Sequence, residues 1–138
     1  MKIMLVGSFF FAKEIVEVKK QLEILGHTVL TTGDLELYAS SPRIKTSFDE
    51  ELKQFIEHDS MIDVFNQVAE SDVVLVCNYP KKNIQGYLGT SVLMELAIAY
   101  HLNKKVFLLH DYDQSQSYGL EVAIINPIIL NNDLSKIQ

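Results

Sequence analysis

The stretch "DVVLVCN", Asp72–Asn78, decides the fold. Its centre is an unbroken run of aliphatic and β-branched residues, without the alternation of a strand that has one wet face. Such a run suits a strand covered on both sides, which is the condition of a parallel sheet. Working outward, "KIMLVG" (Lys2–Gly7) has the same character and stops at a glycine. "HTVLTT" (His27–Thr32), "KKVFLL" (Lys104–Leu109) and "PIIL" (Pro127–Leu130) complete a set of five strands.

Helical periodicity fills the gaps between them. From Ala12 to Leu25, the residues Ile15, Val18, Leu22 and Leu25 fall on one face, and Gly26 is placed to end the helix. From Ser47 to Glu70, "SFDE" reads as a capping box; Phe48, Leu52, Phe55 and Ile56 share a face that Ile62, Phe65 and Val68 continue. A further helix runs through "TSVLMELAIAY", and a short one is expected around Leu120–Ile124. Only residues 33–46, polar and broken by "SSPR", read as a long loop, the kind of segment that serves as a lid or binding element. Strands alternating with helices predict an α/β fold: a flavodoxin-like, Rossmann-like three-layer sandwich with a five-stranded parallel sheet in the order 2-1-3-4-5. With 138 residues, one domain spanning 1–138 is expected.

The bulk composition narrows the function. A formal net charge of −6 with a single arginine argues against a nucleic acid polymer as partner, because such partners need a basic surface to displace counterions. A small phosphorylated ligand stays open, since backbone N–H groups can hold one phosphate. No apolar run is long enough for a bilayer, and "MKIMLVG" is too short for a signal peptide, so a cytoplasmic protein without membrane contact is expected. Cys77 reads as a small strand residue. His27, His58, His101 and His110 show no ligand spacing with each other or with Cys77, so neither a metal nor a cofactor is expected.

In a sheet of this order ligands bind at the carboxyl ends of the strands, where the order reverses between the first and third. Two loops leave there: "GSFFFAK", offering Gly7, Ser8 and Phe9, and "NYPKKNIQGYLGT", opening at Asn78 and closing at Gly89 and Thr90. Gly7 and Ser8 can present N–H groups and a hydroxyl to a sugar or phosphate, and the phenylalanines can stack on a base or simply pack. The following helix carries one acid, Glu95, among apolar residues. The helix dipole favours its ionised form and burial opposes it; the expected balance is an ionised, poorly solvated carboxylate. Such a group serves as a nucleophile, or as a structural acid paired with a lysine. Asp72 opens the third strand and either begins it as a polar residue or points into the crevice. Asp59 and Asp63 share a helical face that reads as solvated, and Lys81 and Lys82 read as loop lysines able to attract a phosphate.

"SDVVLVCNY" followed by "GYLGTSVLMELAIAYHLNKKVFLL" resembles the nucleoside 2-deoxyribosyltransferase superfamily. "KIMLVGSFFFAKE" and "NPIILNNDLSKI" are similar to the ends of a small branch of it. The resemblance implies a flavodoxin-like fold and an acid nucleophile at Glu95. It implies a nucleoside or nucleoside monophosphate substrate, held by Gly7 and Ser8 and by Gly89, Thr90 and Ser91, and a homodimer or higher homo-oligomer. "NKK" stands where the family has "GK". The transferring members carry an acid six positions before the nucleophile, and here that position is Gly89. This departure favours the deoxynucleoside 5′-monophosphate N-glycohydrolase-like branch. The implied reaction is cleavage of an N-glycosidic bond, by hydrolysis or transfer to another base, with Asp72, Asp59 or water protonating the leaving base. The rival readings are a non-catalytic nucleotide sensor and an assembly protein on a common fold.

Overall fold

The structure, a computed structural model, describes residues 1–33, 35–40, 47–58 and 60–138. Strands β1 (Lys2–Val6), β2 (Thr28–Leu30), β3 (Val73–Val76), β4 (Lys105–Leu108) and β5 (Ile128–Ile129) form one sheet in the order β2-β1-β3-β4-β5. Every pairing is parallel; Leu75 of β3 lies between Leu5 of β1 and Phe107 of β4. Alternate residues face opposite layers. Ile3, Leu5, Val73, Leu75 and Phe107 pack with α1 (Ala12–Ile24) and with the C-terminal residues Leu134 and Ile137. Met4, Val6, Val74, Val76 and Leu108 pack with α4 (Ser60–Glu70), α5 (Thr90–His101) and α6 (Gly119–Ile125). Two apolar faces explain why the strands read as continuous apolar runs. The three layers and strand order are those expected from the sequence.

Helix α1 buries Ala12, Ile15, Val18 and Leu22, but Leu25, expected on that face, is 52% exposed. By Leu25 the helix has closed. The Gly26 and His27 N–H groups turn back to Glu23 and Leu22 carbonyls at 3.0 and 3.1 Å, with Gly26 at φ +94°. This is a Schellman closure, which needs a left-handed residue after the cap. Helix α5 closes in the same way on Asn103, at φ 58°, whose N–H reaches Tyr100 O at 3.1 Å while Lys104 N–H reaches Ala99 O at 2.9 Å. Asparagine tolerates that conformation, so "NKK" keeps the turn that "GK" would make.

The expected long loop contains a helix, α2 (Leu35–Ser40). Leu35 is buried, and Glu36 pairs with Lys19 of α1 at 2.8 Å. Residues 34 and 41–46, including most of "SSPR", lie outside the described residues. Where one helical pattern was expected over 47–70, the described residues form two helices, α3 (Phe48–His58) and α4. The Ser47 hydroxyl accepts from Glu50 N–H at 3.2 Å, as a capping residue does. On the apolar face expected for α3, Phe48 is 76%, Leu52 45% and Ile56 70% exposed. In α4, Val64 and Val68 are the buried pair, while Ile62 is exposed.

Candidate functional site

The first loop and the third loop touch as they leave the sheet. A Cβ on Gly7 would lie 3.0 Å from Ile15 Cδ1 and 3.2 Å from Cys77 O, so β1 and β3 run on side by side only without a side chain there. Ser8 then caps a 3-10 turn over Phe9–Phe11, its Oγ accepting from Phe10 N–H at 3.3 Å. Phe9 stacks on Tyr38 of α2, centroids 4.4 Å apart and planes 6° from parallel, so one face of its ring is occupied. Phe11 leans on Tyr79 at 5.2 Å, and Tyr79 on His110 at 5.6 Å. Burial raises the Tyr79 phenol above its ordinary range, with the nearby Cys77 and Glu14 adding to the rise, and burial lowers His110.

The third loop is fastened at several points. Asn78 is buried; its Nδ2 donates to His110 O at 2.8 Å, its Oδ1 accepts from His110 N–H at 2.9 Å, and Nδ2 also reaches Gly86 O at 3.5 Å. The amide therefore extends the β3–β4 ladder by one rung and ties down the loop. Gly86 sits at φ +60°, and a Cβ there would overlap the Asp111 carbonyl. Between these anchors Lys81 and Ile84 form a small antiparallel bridge. Leu88 N–H then donates to Tyr118 Oη at 3.4 Å. Gly89, at φ −76° and ψ 166°, is the N-cap of α5, which begins with the exposed Thr90 and Ser91.

Glu95 lies in the second turn of α5. Val92, Leu96 and Ala99 face the sheet, and Leu93 and Ala97 line a groove of about 370 Å³ against α6. Helical periodicity puts Glu95 on the other flank, the side toward α4, with its Cα–Cβ bond tilted toward the start of the helix. It is half-buried, and among the described residues it has no hydrogen-bond or ion-pair partner. Burial pushes its carboxyl up to about 7. Desolvation thus outweighs the helix dipole, and the expectation of a fully ionised group is corrected: near neutrality the acid is divided between its two forms.

Asp72 falls at the opposite end of the sheet. It is exposed, its Oδ2 accepts from Lys2 N–H at 2.7 Å, and its own N–H donates to Lys2 O at 2.8 Å. Roughly 16 Å of strand separates it from Cys77, where the third loop begins. Asp59 lies outside the described residues. The geometry therefore brings together Gly7, Ser8, Phe9, Asn78 and Gly89 with the start of α5, and leaves Asp72 out. The sequence marks Lys81 as a loop lysine able to attract a phosphate but not its neighbour Tyr87; the two meet at the first loop, the Lys81 Nζ 5.8 Å from the Tyr87 ring centroid and 3.5 Å from Ser8 Oγ. Cys77 is fully buried, its thiol pushed up to about 12 by burial, as befits a packed strand residue rather than a nucleophile.

Sheet order and layering define a Rossmann-like α/β protein. Its fold is similar to that of the CMP N-glycosidase BcmB of Clostridium botulinum, with a TM-score of 0.50 and 16% identity over 95% of this chain and 90% of that one. No protein-family model matches the sequence, and no curated protein sequence matches it. At this identity the likeness is one of fold. Among the described residues no helix is long and apolar enough to cross a membrane, and no group of acidic, histidine or cysteine side chains is arranged to hold a metal ion.

Proposed function

We propose that the chain cleaves the N-glycosidic bond of a nucleoside or nucleoside 5′-monophosphate, with Glu95 as nucleophile. The observation that carries this reading is an acid without a partner, half-buried in the helix that follows the third loop, beside the ligand-binding end of a Rossmann-like sheet. A structural carboxylate in such surroundings would be held by a cation or by N–H donors. The similarity in fold to an enzyme that acts on CMP supports the substrate class.

In this scheme the ionised Glu95 attacks the anomeric carbon, and the C–N bond breaks with its electron pair leaving on the base. The oxocarbenium-like charge that develops is stabilised by a carboxylate in a poorly solvated place. Asp72 stands at the other end of the sheet, which leaves water or Asp59 to supply the proton to the departing base. A second water, or another base, then opens the glycosyl ester. Gly89 stands where transferring members of the resembled superfamily carry an acid, which favours water as the final acceptor.

Glu95→Gln is expected to lower base release by on the order of 10³-fold or more, read by chromatography of free base from a panel of nucleosides and 5′-monophosphates. Release at the wild-type rate would end the assignment. The same Gly89 supports a second reading, a nucleotide sensor that binds without turnover. Saturable binding by the wild-type chain with no free base formed from any member of the panel would select it.

A further inference from the structure

Helix α5 carries Glu95 but has no capping side chain. Its N-cap is Gly89, which offers no side-chain oxygen to the first turn. The residue before it, Leu88, is 2% exposed. A buried backbone N–H needs an acceptor, and among the described residues no backbone carbonyl supplies one to Leu88. The acceptor is the Tyr118 hydroxyl, at 3.4 Å, from 30 residues further along the chain.

Tyr118 is itself firmly held. It is the N-cap of α6, and its backbone carbonyl accepts from Val122 N–H at 3.0 Å. Ahead of it, Asp113 gathers the turn. Its carboxylate accepts from Ser115 N–H at 2.9 Å, from Ser115 Oγ at 2.6 Å and from Gln116 Nε2 at 3.2 Å. Gly119 N–H closes on Gln116 O at 2.9 Å, and a Cβ on Gly119 would overlap the Gln114 carbonyl. The same segment, 111–119, receives Gly86 against the Asp111 carbonyl. The third loop is thus pinned to it at Gly86 and again at Leu88, on either side of Tyr87.

The Tyr118 ring also touches the helix. With Val122 and Ile125 it lines the α6 wall of the groove whose α5 wall is Leu93 and Ala97. Val92, Leu96 and Ala99 are seated on the sheet. A helix packed on these two sides resists turning about its axis. A hydrogen bond just ahead of its first residue resists sliding along that axis. Glu95 stands on the remaining flank, so its place follows from contacts that other residues make.

We infer that Tyr118 is a positioning residue for Glu95: by accepting from Leu88 N–H it sets where α5 begins, and so where the carboxyl lies. That Glu95 is a nucleophile rests on the proposed function; the anchoring does not. The test is Tyr118→Phe, which keeps the ring and removes the acceptor. Its control is Val18→Ala, a core truncation in α1 on the other face of the sheet. Amide hydrogen exchange is read by NMR against the β3 amides, which report opening of the whole chain. In Tyr118→Phe it is expected to quicken about tenfold or more at Leu88 and in the first turn of α5. For base release, kcat is expected to fall about tenfold to hundredfold with KM within about threefold, because a misplaced carboxyl slows the chemistry and leaves binding intact. Val18→Ala, which lowers stability alone, should keep both near wild type. Tyr118→Leu replaces the phenylalanine variant if that one does not fold. Unchanged exchange at Leu88 overturns the anchor. Quickened exchange with wild-type kcat, or an equal loss of kcat in Val18→Ala, overturns the positioning role. If the wild-type chain releases no base, Glu95 is removed as nucleophile, and the exchange at Leu88 alone decides whether Tyr118 holds the start of α5.

Discussion

In the proposed reaction the chemistry rests on one side chain, Glu95, and the burial of that side chain would give the reaction a pH signature. A nucleophile must be ionised, so kcat/KM for base release is expected to climb as pH rises through about 7 and to level off above it. Stability moves the opposite way. Between 4.5 and about 7 the folded chain keeps a proton that the unfolded chain gives up, so the protein loses stability as pH rises through that window. The whole shift corresponds to about 3 kcal/mol. Glu95→Gln should therefore be more stable than wild type in urea at pH 8 and close to it at pH 4.5. An equal difference at both values would mean that Glu95 is solvated in the folded chain. At this scale the sequence singled out Glu95, because one carboxylate among apolar helical residues is conspicuous, and the structure leaves that acid half-buried. The sequence did not tell that Asp72 belongs to the amino edge, since a residue that opens a strand reads the same whether it caps the strand or faces a ligand. Nor did it tell that the Asn78 amide is engaged by backbone, because that engagement depends on His110, 32 residues away.

At the scale of elements, the turns are set by backbone conformations that the residue types betray unevenly. Gly26 was legible as a stop, and Asn103 makes the same closure with a side chain that only tolerates it. Asn103→Gly is expected to leave stability within about 1 kcal/mol of wild type, on the favourable side. Gly86→Ala meets both a left-handed φ and the Asp111 carbonyl, and should cost about 2 to 4 kcal/mol. Urea titration of both variants checks the contrast; a silent Gly86→Ala would show that the third loop is not pinned to β4. Helix α2 escaped the sequence reading because "LELYAS" sits in polar, turn-rich surroundings and spans six residues, too short for periodicity to speak. Its existence depends on contacts from elsewhere, the Glu36–Lys19 pair and the Phe9–Tyr38 stack. The apolar stripe of α3 misleads in the other direction: its period is clear, but period alone does not say what covers a face.

At the scale of the whole molecule, strand order was legible because it follows from a few rules: parallel strands, helical crossovers and a sheet covered on both faces. That order also marks the place where the first and third loops leave the sheet side by side. The contacts between those loops were not legible, because Ser8 and Lys81 are 73 residues apart and meet only after the sheet has closed. The same closure seals the chain's single cysteine behind the sheet. Cys77 should thus act as an internal clock. A coloured disulfide reagent can reach the sulfur only when β3 is exposed, so the labelling rate at low reagent concentration reports the population of opened chains directly. Each tenfold acceleration would register a loss of about 1.4 kcal/mol, letting ligand protection be followed in native buffer, with no denaturant and no engineered probe. Rapid modification of the untouched chain would show instead that this part of the sheet breathes on its own.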